Sequence, residues 1–328
     1  MRQTVKTVEK WIVEHWQQWT ATDNRWLTVP VTVASLLVLL VLVKSCQGIV
    51  YGKSKECKIQ RLGYPIEEAR TLAAVLSDEQ ADSLITINMH DTIAYCLTQD
   101  RYFIVDNFVR YLSYHHRDTT ASAQDIIAAV NVGADRKWYE AASPCDTSRD
   151  MLMLVNKFHY LPEDYQRNDM VDFEKKLSYG KNKAAKPAVE AFYKMQKECK
   201  DKTDKQLIIS SAYRSHDDQK AEFKHYHDKL VARAGYSEHQ TGLSLDIVSL
   251  EHPGKWDFGK AEEGIWMREN CHRFGFILRY PEGKSRITGY DYEPWHLRYV
   301  GVEAATRLHD EGITLDEYHA YYLERETR

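Results

Sequence analysis

Two short stretches, Ser237-Glu-His-Gln-Thr-Gly-Leu-Ser-Leu-Asp246 and Glu293-Pro-Trp-His296, decide how the second half of this chain folds. After its glycine, the first stretch alternates apolar and polar residues, which predicts a strand with Asp246 on the face opposite the leucines. Residues 295–300 are rich in aromatic and branched side chains and predict a second strand that carries His296. Each strand has an apolar side to pack into a core, so the polar sides can face a common cleft.

These polar sides carry donors that suit a metal ion. His239, Asp246 and His296 supply two imidazoles and one carboxylate, and three-ligand sets of this kind on zinc leave a fourth position open for water. Pro294 biases Glu293 towards an extended conformation just before the second strand. There this acid can approach the metal without ligating it and can accept a proton from the water. The sequence therefore predicts a Zn²⁺ site with a general base beside it.

The two stretches resemble the VanY-like D-alanyl-D-alanine carboxypeptidases, a family of zinc peptidases that trim the stem peptides of bacterial cell walls. The family pattern Ser-x-His-x-x-Gly-x-Ala-x-Asp is matched by the first stretch, with Ser244 where alanine is usual, and Glu-x-x-His is complete in the second. Upstream, Ser211-Ala-Tyr-Arg-Ser215 is a third match, with Gln219 four residues beyond it. The resemblance covers about residues 62–322.

The resemblance implies a role for each residue of the site. The implied zinc ligands are His239, Asp246 and His296. Glu293 is implied to be the general base. Arg214 is implied to stabilise the oxyanion or to hold the substrate, which suits a guanidinium because it is always charged and binds paired oxygens. Ser237 and Gln219 are implied substrate contacts.

The resemblance also implies an activity, with two alternatives. We expect a zinc-dependent D,D-carboxypeptidase that removes the terminal D-alanine from peptidoglycan stem peptides. One alternative is an L,D-carboxypeptidase or endopeptidase of the same fold. The other is a non-catalytic, zinc-containing module that binds the cell wall, against which the presence of both Glu293 and Arg214 argues.

The N-terminal part of the sequence predicts a single membrane span. Residues 26–43 carry no charge and come close to the ~20 apolar residues that cross a bilayer. Residues 1–25 form a tryptophan-rich tail, for which an amphipathic helix on the membrane face and a disordered segment are both open. Residues 44–61 predict a polar, basic linker.

The orientation of this span follows from two conflicting arguments. Counting Lys and Arg alone places the C-terminal side inside the cell. A cell-wall enzyme must face outwards, and a large folded domain can be translocated despite flanking charge. We therefore expect a single-pass protein of the cell membrane with an extracytoplasmic catalytic domain.

The remaining chain predicts an α+β fold. Residues 62–149 predict a helical subdomain, with helix formers and a 3–4 apolar period from Ile66 to Leu76. Residues 150–328 predict the zinc peptidase domain, a mainly antiparallel sheet flanked by helices. The helices are expected near 184–198, 215–233, 261–274 and 301–311, and the strands near 151–156, 206–211, 243–248, 276–280 and 295–300.

Composition narrows the partners and the compartment. A net charge of −4 gives no sign of nucleic-acid binding. Cys57, Cys96, Cys145 and Cys199 form an even set that is compatible with two disulfides outside the cell, in any of three pairings. Cys271 is expected to be a small buried apolar residue.

Overall fold

The computed structural model describes residues 38–44, 51–87, 92–224 and 230–324. Two compact units divide the chain, Met1–Thr98 and Gln99–Arg328. We describe each unit by itself.

The first unit is helical wherever the structure describes it. Residues 38–44 are helical with exposed side chains. The helices that follow are α1 (Lys55–Gln60), α2 (Ile66–Val75), α3 (Asp78–Ile87) and α4 (Ile93–Thr98). Each buries apolar residues, among them Ile59, Leu72, Leu84 and Leu97, which are fully buried. The helix predicted from Ile66 is thereby confirmed.

The predicted membrane span lies mostly outside the described residues. Its residues 26–37 and the tail 1–25 are not described, whereas residues 38–43 are helical. Among the residues that are described, none of the helices has the length and apolar character needed to cross a bilayer. The span therefore stays a prediction.

The second unit combines helices with short strands. Its helices are α5 (Phe108–Arg117), α6 (Ala123–Asn131), α7 (Lys186–Thr203), α8 (His216–Phe223), α9 (Lys255–Phe258), α10 (Glu262–Asn270), α11 (Ser285–Thr288), α12 (Val302–Glu311) and α13 (Leu315–Tyr318). Its strands are β1 (Ser143–Pro144), β2 (His159–Tyr160), β3 (Met170–Asp172), β4 (Lys183–Ala185), β5 (Leu207–Ser211), β6 (Ser244–Ser249), β7 (Phe276–Leu278) and β8 (His296–Tyr299).

The main sheet has the strand order β5-β6-β8-β7, and every neighbouring pair in it is antiparallel. Two smaller pairs stand apart from it, β1 with β2 in parallel and β3 with β4 antiparallel. The predicted α+β class with a mainly antiparallel sheet is confirmed.

The helices predicted for residues 62–149 fall into both units. The units divide after Thr98, so α5 and α6 belong with the sheet. The predicted functional boundary at 149/150 stays a prediction.

One face of the sheet packs against helix α7. The buried side of α7 includes Phe192 and Met195, and the sheet contributes Leu245, Ile247 and Leu297 to the same core. All six residues of β6 are buried, because this strand lies in the middle of the sheet and is covered on both faces. The predicted apolar side of β6 is confirmed, and the polar side is held in place by that core.

The strand predicted at 151–156 is wrong. Residues Thr147–Leu152 form a 3-10 segment that contains a kink at Asp150, and residues 153–155 belong to no helix or strand. The Arg298 guanidinium donates to the carbonyl oxygens of Met151 (3.1 Å) and Met153 (2.8 Å). A side chain thus satisfies backbone groups that the pattern had assigned to a sheet neighbour.

The helix predicted at 215–233 is too long. Helix α8 ends at Phe223, residues 225–229 lie outside the described residues, and residues 230–233 are not helical. The other predicted helices and strands of this unit are confirmed, with ends shifted by a few residues.

The described cysteines form no disulfides. All of them are free: Cys57, Cys96, Cys145, Cys199 and Cys271. The two disulfides that were possible among the first four are therefore not formed. Cys271 is buried as expected.

The packing of β6 predicts a clear contrast between two apolar residues. Ile247→Ala should lower the free energy of unfolding by about 2–5 kcal/mol, because it removes a fully buried side chain and leaves a cavity. Leu250→Ala, just beyond the same strand, should change it by less than about 0.5 kcal/mol, because Leu250 is 53% exposed. Urea denaturation of both variants measures the difference, and equal losses would contradict the assigned core.

Candidate active site

The loop before β6 brings His239 to the sheet. The Ser237 side chain accepts from the backbone N–H of His239 and begins a 3-10 turn, Glu238–Thr241. Gly242 ends that turn with φ +71°, a left-handed conformation that glycine adopts without strain. A Cβ at this position would lie 2.6 Å from the Met170 sulfur, so a larger residue would also displace the Met170 side chain.

Strand pairing brings Asp246 and His296 together. The two residues are directly opposite each other in the antiparallel pair β6–β8. A turn precedes β8, in which the His296 N–H donates to the Glu293 carbonyl at 3.2 Å. Pro294 occupies the second position of that turn, where its fixed φ is favourable. The carboxyl group of Glu293 is therefore presented beside the start of β8.

Three ligand atoms converge at this point of the sheet. Asp246 Oδ1 lies 3.4 Å from His239 Nε2 and 3.0 Å from His296 Nδ1. One ligand atom from each of the three residues can be chosen so that all lie within 4.8 Å of one another. Two imidazole nitrogens and one carboxylate oxygen are the donors that zinc prefers. These three residues could hold a zinc ion, which would then have one position left for another ligand.

The hydrogen bonds of the ring orient His239 for this task. Its Nδ1 donates to the Ala212 carbonyl at 2.6 Å, and a carbonyl only accepts, so Nδ1 carries the proton. Burial and the nearby Arg214 guanidinium lower the pKa of His239 to about 4. The imidazole is thus neutral at physiological pH, with the lone pair of Nε2 facing the other ligand atoms.

The charge of Asp246 is stabilised by its neighbours. Burial alone would raise the pKa of this carboxyl group, but its neighbours, among them the Lys255 ammonium group, outweigh burial and hold it well below its usual range. Lys255 Nζ donates to Asp246 Oδ2 at 2.8 Å. One carboxylate oxygen is therefore occupied by the lysine while the other faces the two imidazoles.

Glu293 lies beside this set in a nearly dry position. Its Oε2 is 3.7 Å from His296 Nδ1, and the residue is 5% exposed. Burial raises the pKa of Glu293 to about 7. A carboxyl group with a pKa near neutrality can both take up and release a proton at physiological pH, as acid–base catalysis requires.

The other predicted residues line the same cleft, which has a volume of about 240 Å³. Arg214 Nη1 donates to Gln219 Oε1 at 2.9 Å, and Gln219 Nε2 donates to the Ala232 carbonyl at 2.7 Å. Both ends of the Gln219 amide are therefore used within the protein, and the residue is 1% exposed. Gln219 positions Arg214, and Ser237 shapes the loop that carries His239.

The sequence did not reveal the role of a buried acid, Glu238, which lies within the stretch 237–246. Its carboxylate lies 2.8 Å from both Arg279 Nε and Arg298 Nη1, and these guanidiniums hold its pKa well below the usual range although burial opposes them. Arg279 also donates to Asp316 at 2.7 Å. Four charged residues are thus at most 2% exposed beside the candidate ligands. The signal that the sequence offered was a glutamate directly before the predicted ligand His239.

The sequence reasoning also missed the contribution of helix α9. Besides Lys255, this helix places Trp256 at the cleft, 52% exposed and edge-on to Trp295 with ring centroids 4.7 Å apart. No pattern in the sequence of residues 250–258 links them to the motifs. Only the packing of α9 against β6 brings them to the site.

Comparisons with known proteins cover the part of the chain that carries this site. The family model for VanY, D-alanyl-D-alanine carboxypeptidase, matches residues 181–302. "Putative carboxypeptidase YodJ" of Bacillus subtilis (strain 168) is 38% identical over 200 residues, which are 56% of this chain and 72% of that protein. A histidine–aspartate–histidine set beside a buried glutamate, carried on this sheet, defines the class of zinc metallopeptidases. The chain belongs to the VanY family of D-alanyl-D-alanine carboxypeptidases.

Two solved structures are similar to this chain. The LD-carboxypeptidase LdcB is 36% identical with a TM-score of 0.50, and the match covers 56% of this chain and 91% of LdcB. The vancomycin resistance D,D-pentapeptidase VanY in complex with Zn(II) is 32% identical with a TM-score of 0.44, over 51% of this chain and 98% of that structure. The expected carboxypeptidase class is confirmed.

The raised pKa of Glu293 predicts a pH-dependent stability difference in metal-free protein. In the unfolded chain its pKa returns to about 4.3. Between these two pKa values the folded state binds more protons than the unfolded chain. The contribution of Glu293 to the free energy of unfolding should therefore fall by about 2–3 kcal/mol as the pH rises from 5 to 8. Glu293→Gln lacks this titration and should gain stability relative to wild type over that range. Urea denaturation at pH 5 and pH 8 measures it, and an equal difference at both pH values would contradict the assignment.

Proposed function

We propose that the chain is a zinc-dependent D,D-carboxypeptidase that removes the terminal D-alanine from peptidoglycan stem peptides. One observation carries the proposal: the histidine–aspartate–histidine set, a buried glutamate and an arginine line one cleft. The metal-binding set and the glutamate are the parts of a hydrolytic site, and the arginine is a fixed positive charge. An enzyme that cleaves at a chain end needs such a charge to hold the free carboxylate of its substrate.

The proposed zinc ligands are His239 through Nε2, Asp246 through Oδ1 and His296 through Nδ1. The converging distances of 3.4 Å and 3.0 Å support this choice of atoms. When bound, zinc supplies a Lewis acid that polarises a carbonyl and lowers the pKa of water.

Glu293 is the proposed general base. Its Oε2 would accept a proton from the attacking water and later pass that proton to the amine that leaves. The pKa of about 7 supports both halves of this transfer.

Arg214 is the proposed anchor for substrate oxygens. Its Nη1 is held by Gln219, while its Nε is buried without a hydrogen-bond partner in the described part of the chain. A buried guanidinium nitrogen without a partner is costly, and a carboxylate or developing oxyanion in the cleft would satisfy it. Ser237 lines the same cleft and is the further proposed substrate contact.

The L,D-carboxypeptidase remains a second candidate because of one comparison. LdcB, described as an LD-carboxypeptidase, is 36% identical to this chain. Both activities would use the same ligands and base, and they differ in the residue that precedes the bond cut.

We also propose that the enzyme acts outside the cell membrane. The predicted span at 26–43 supports a single-pass anchor, and the cell wall that contains the proposed substrate lies outside that membrane.

Glu293→Gln should abolish most turnover and leave zinc binding intact. Loss of a general base costs about 10²–10⁴-fold in rate, whereas none of the three proposed ligands is changed. Glu282→Gln, an exposed glutamate, is the matched control and should behave as wild type. Peptide turnover is measured together with zinc content by elemental analysis. Wild-type turnover in Glu293→Gln would remove Glu293 from the role of base.

A set of synthetic stem peptides tests the bond that is cut. Incubation of the pentapeptide should release a single D-alanine and leave the tetrapeptide, as followed by chromatography, and a chelator should stop the reaction. Faster turnover of the free tetrapeptide would favour the L,D alternative, and internal cleavage would favour an endopeptidase. Zinc binding without hydrolysis of any peptide would favour the non-catalytic module.

A further inference from the structure

The buried acid Glu238 lies on the far side of the His296 ring from the other ligand atoms. We propose that Glu238 is a positioning residue that receives the Nε2 proton of His296 and thereby holds Nδ1 towards the zinc ion. This inference rests on the proposed zinc site and assigns a hydrogen-bond partner to one of its ligands.

The two nitrogens of His296 face different surroundings. Nδ1 faces Asp246 Oδ1 at 3.0 Å. Nε2 is buried and has no hydrogen-bond partner among the described residues, and Glu238 Oε2 lies 3.9 Å away. A ring that ligates through Nδ1 must carry its proton on Nε2. In a buried site that proton needs an acceptor, and Glu238 Oε2 is the carboxylate oxygen that faces it.

The two oxygens of Glu238 are used differently, which leaves one of them for His296. Both guanidiniums, Arg279 and Arg298, lie 2.8 Å from Oε1. The partner of Oε2 is the Ser244 hydroxyl, which donates across a long 3.4 Å. The carboxylate is thus anchored by one oxygen and turned so that the other faces the imidazole.

The anchoring explains how a carboxylate can remain charged here. Glu238 is 1% exposed, and an isolated buried charge would be strongly unfavourable. Two guanidiniums compensate it, and Asp316 balances the second positive charge through its 2.7 Å bond with Arg279. The group that faces His296 is therefore a rigid anion rather than a mobile side chain.

The other imidazole ligand is held differently. His239 donates its Nδ1 proton to a backbone carbonyl, that of Ala212. Backbone carbonyls and carboxylates both orient the histidines that bind metals, and a carboxylate also makes the ring a stronger donor. His296 is thus the ligand whose affinity for zinc depends on a replaceable side chain.

The test compares two variants that each remove one negative charge from the same cluster. Glu238→Gln changes the group that faces His296, and Asp316→Asn changes the far end of the cluster. Both leave a buried arginine partly uncompensated, so both should lose stability. Only Glu238→Gln should weaken zinc binding, by about 10–100-fold, as loss of such outer partners typically does.

The measurement uses the full chain. Zinc affinity is determined by competition with a chromogenic chelator, folding is checked by circular dichroism, and the visible spectrum of the cobalt-substituted protein reports ligand geometry. We expect Asp316→Asn to keep the wild-type spectrum and an affinity within about threefold of wild type, and Glu238→Gln to change both. Equal zinc affinity in wild type and folded Glu238→Gln, or equal losses in the two variants, overturns the proposal.

A third variant covers the case in which Glu238→Gln does not fold. Glu238→Asp keeps the negative charge between the arginines and withdraws the carboxylate from His296 by one methylene. It should fold and bind zinc about tenfold more weakly, and unchanged affinity in this variant also overturns the proposal. Failure of the wild-type protein to bind zinc is a different result, because it refutes the proposed zinc site itself.

Discussion

The site depends on one strand register, the antiparallel pairing that sets Asp246 directly opposite His296. Side chains alternate between the faces of a strand, so a slip of one residue would turn one of the two away from the cleft. The register is fixed from the other face, where Leu245 and Leu297 are paired and fully buried. The same apolar contacts that stabilise the sheet therefore hold two of the proposed ligands at 3.0 Å.

A cluster of buried charges secures the rest of the site to that sheet. Glu238 joins the turn before β6 to Arg298 on β8 and to Arg279 just after β7. Asp316, on α13, completes the cluster through Arg279. Such clusters add little net stability over apolar packing, yet removing one member is costly because it leaves a charge without its partner. The value here is geometric, since the contacts of Glu238 with Arg279 and Arg298 join the turn that carries His239 to the sheet.

Burial has opposite consequences for His239 and Glu293, which line the same cleft. It contributes to lowering the pKa of His239 to about 4 and raises the pKa of Glu293 to about 7. The imidazole is therefore neutral and able to ligate a metal, while the carboxyl group is poised to exchange a proton near neutral pH. Titrating groups whose pKa values are shifted in opposite directions by their surroundings are characteristic of acid–base sites. Arg214 adds a fixed positive charge on the same cleft.

The sequence by itself determined the α+β class and the strands that carry Asp246 and His296, because alternation and turn signals are local. The donor types and their spacing predicted His239, Asp246, His296 and Glu293 as site residues, and Arg214 was added by the family resemblance. The sequence did not predict that the carbonyls of Met151 and Met153 bind Arg298 rather than a neighbouring strand. Nor did it predict that Lys255 reaches Asp246, or that Glu238 is compensated by two arginines. These contacts join residues that are up to 147 positions apart. Only the tertiary structure decides them, since each depends on how several elements pack together rather than on any local pattern.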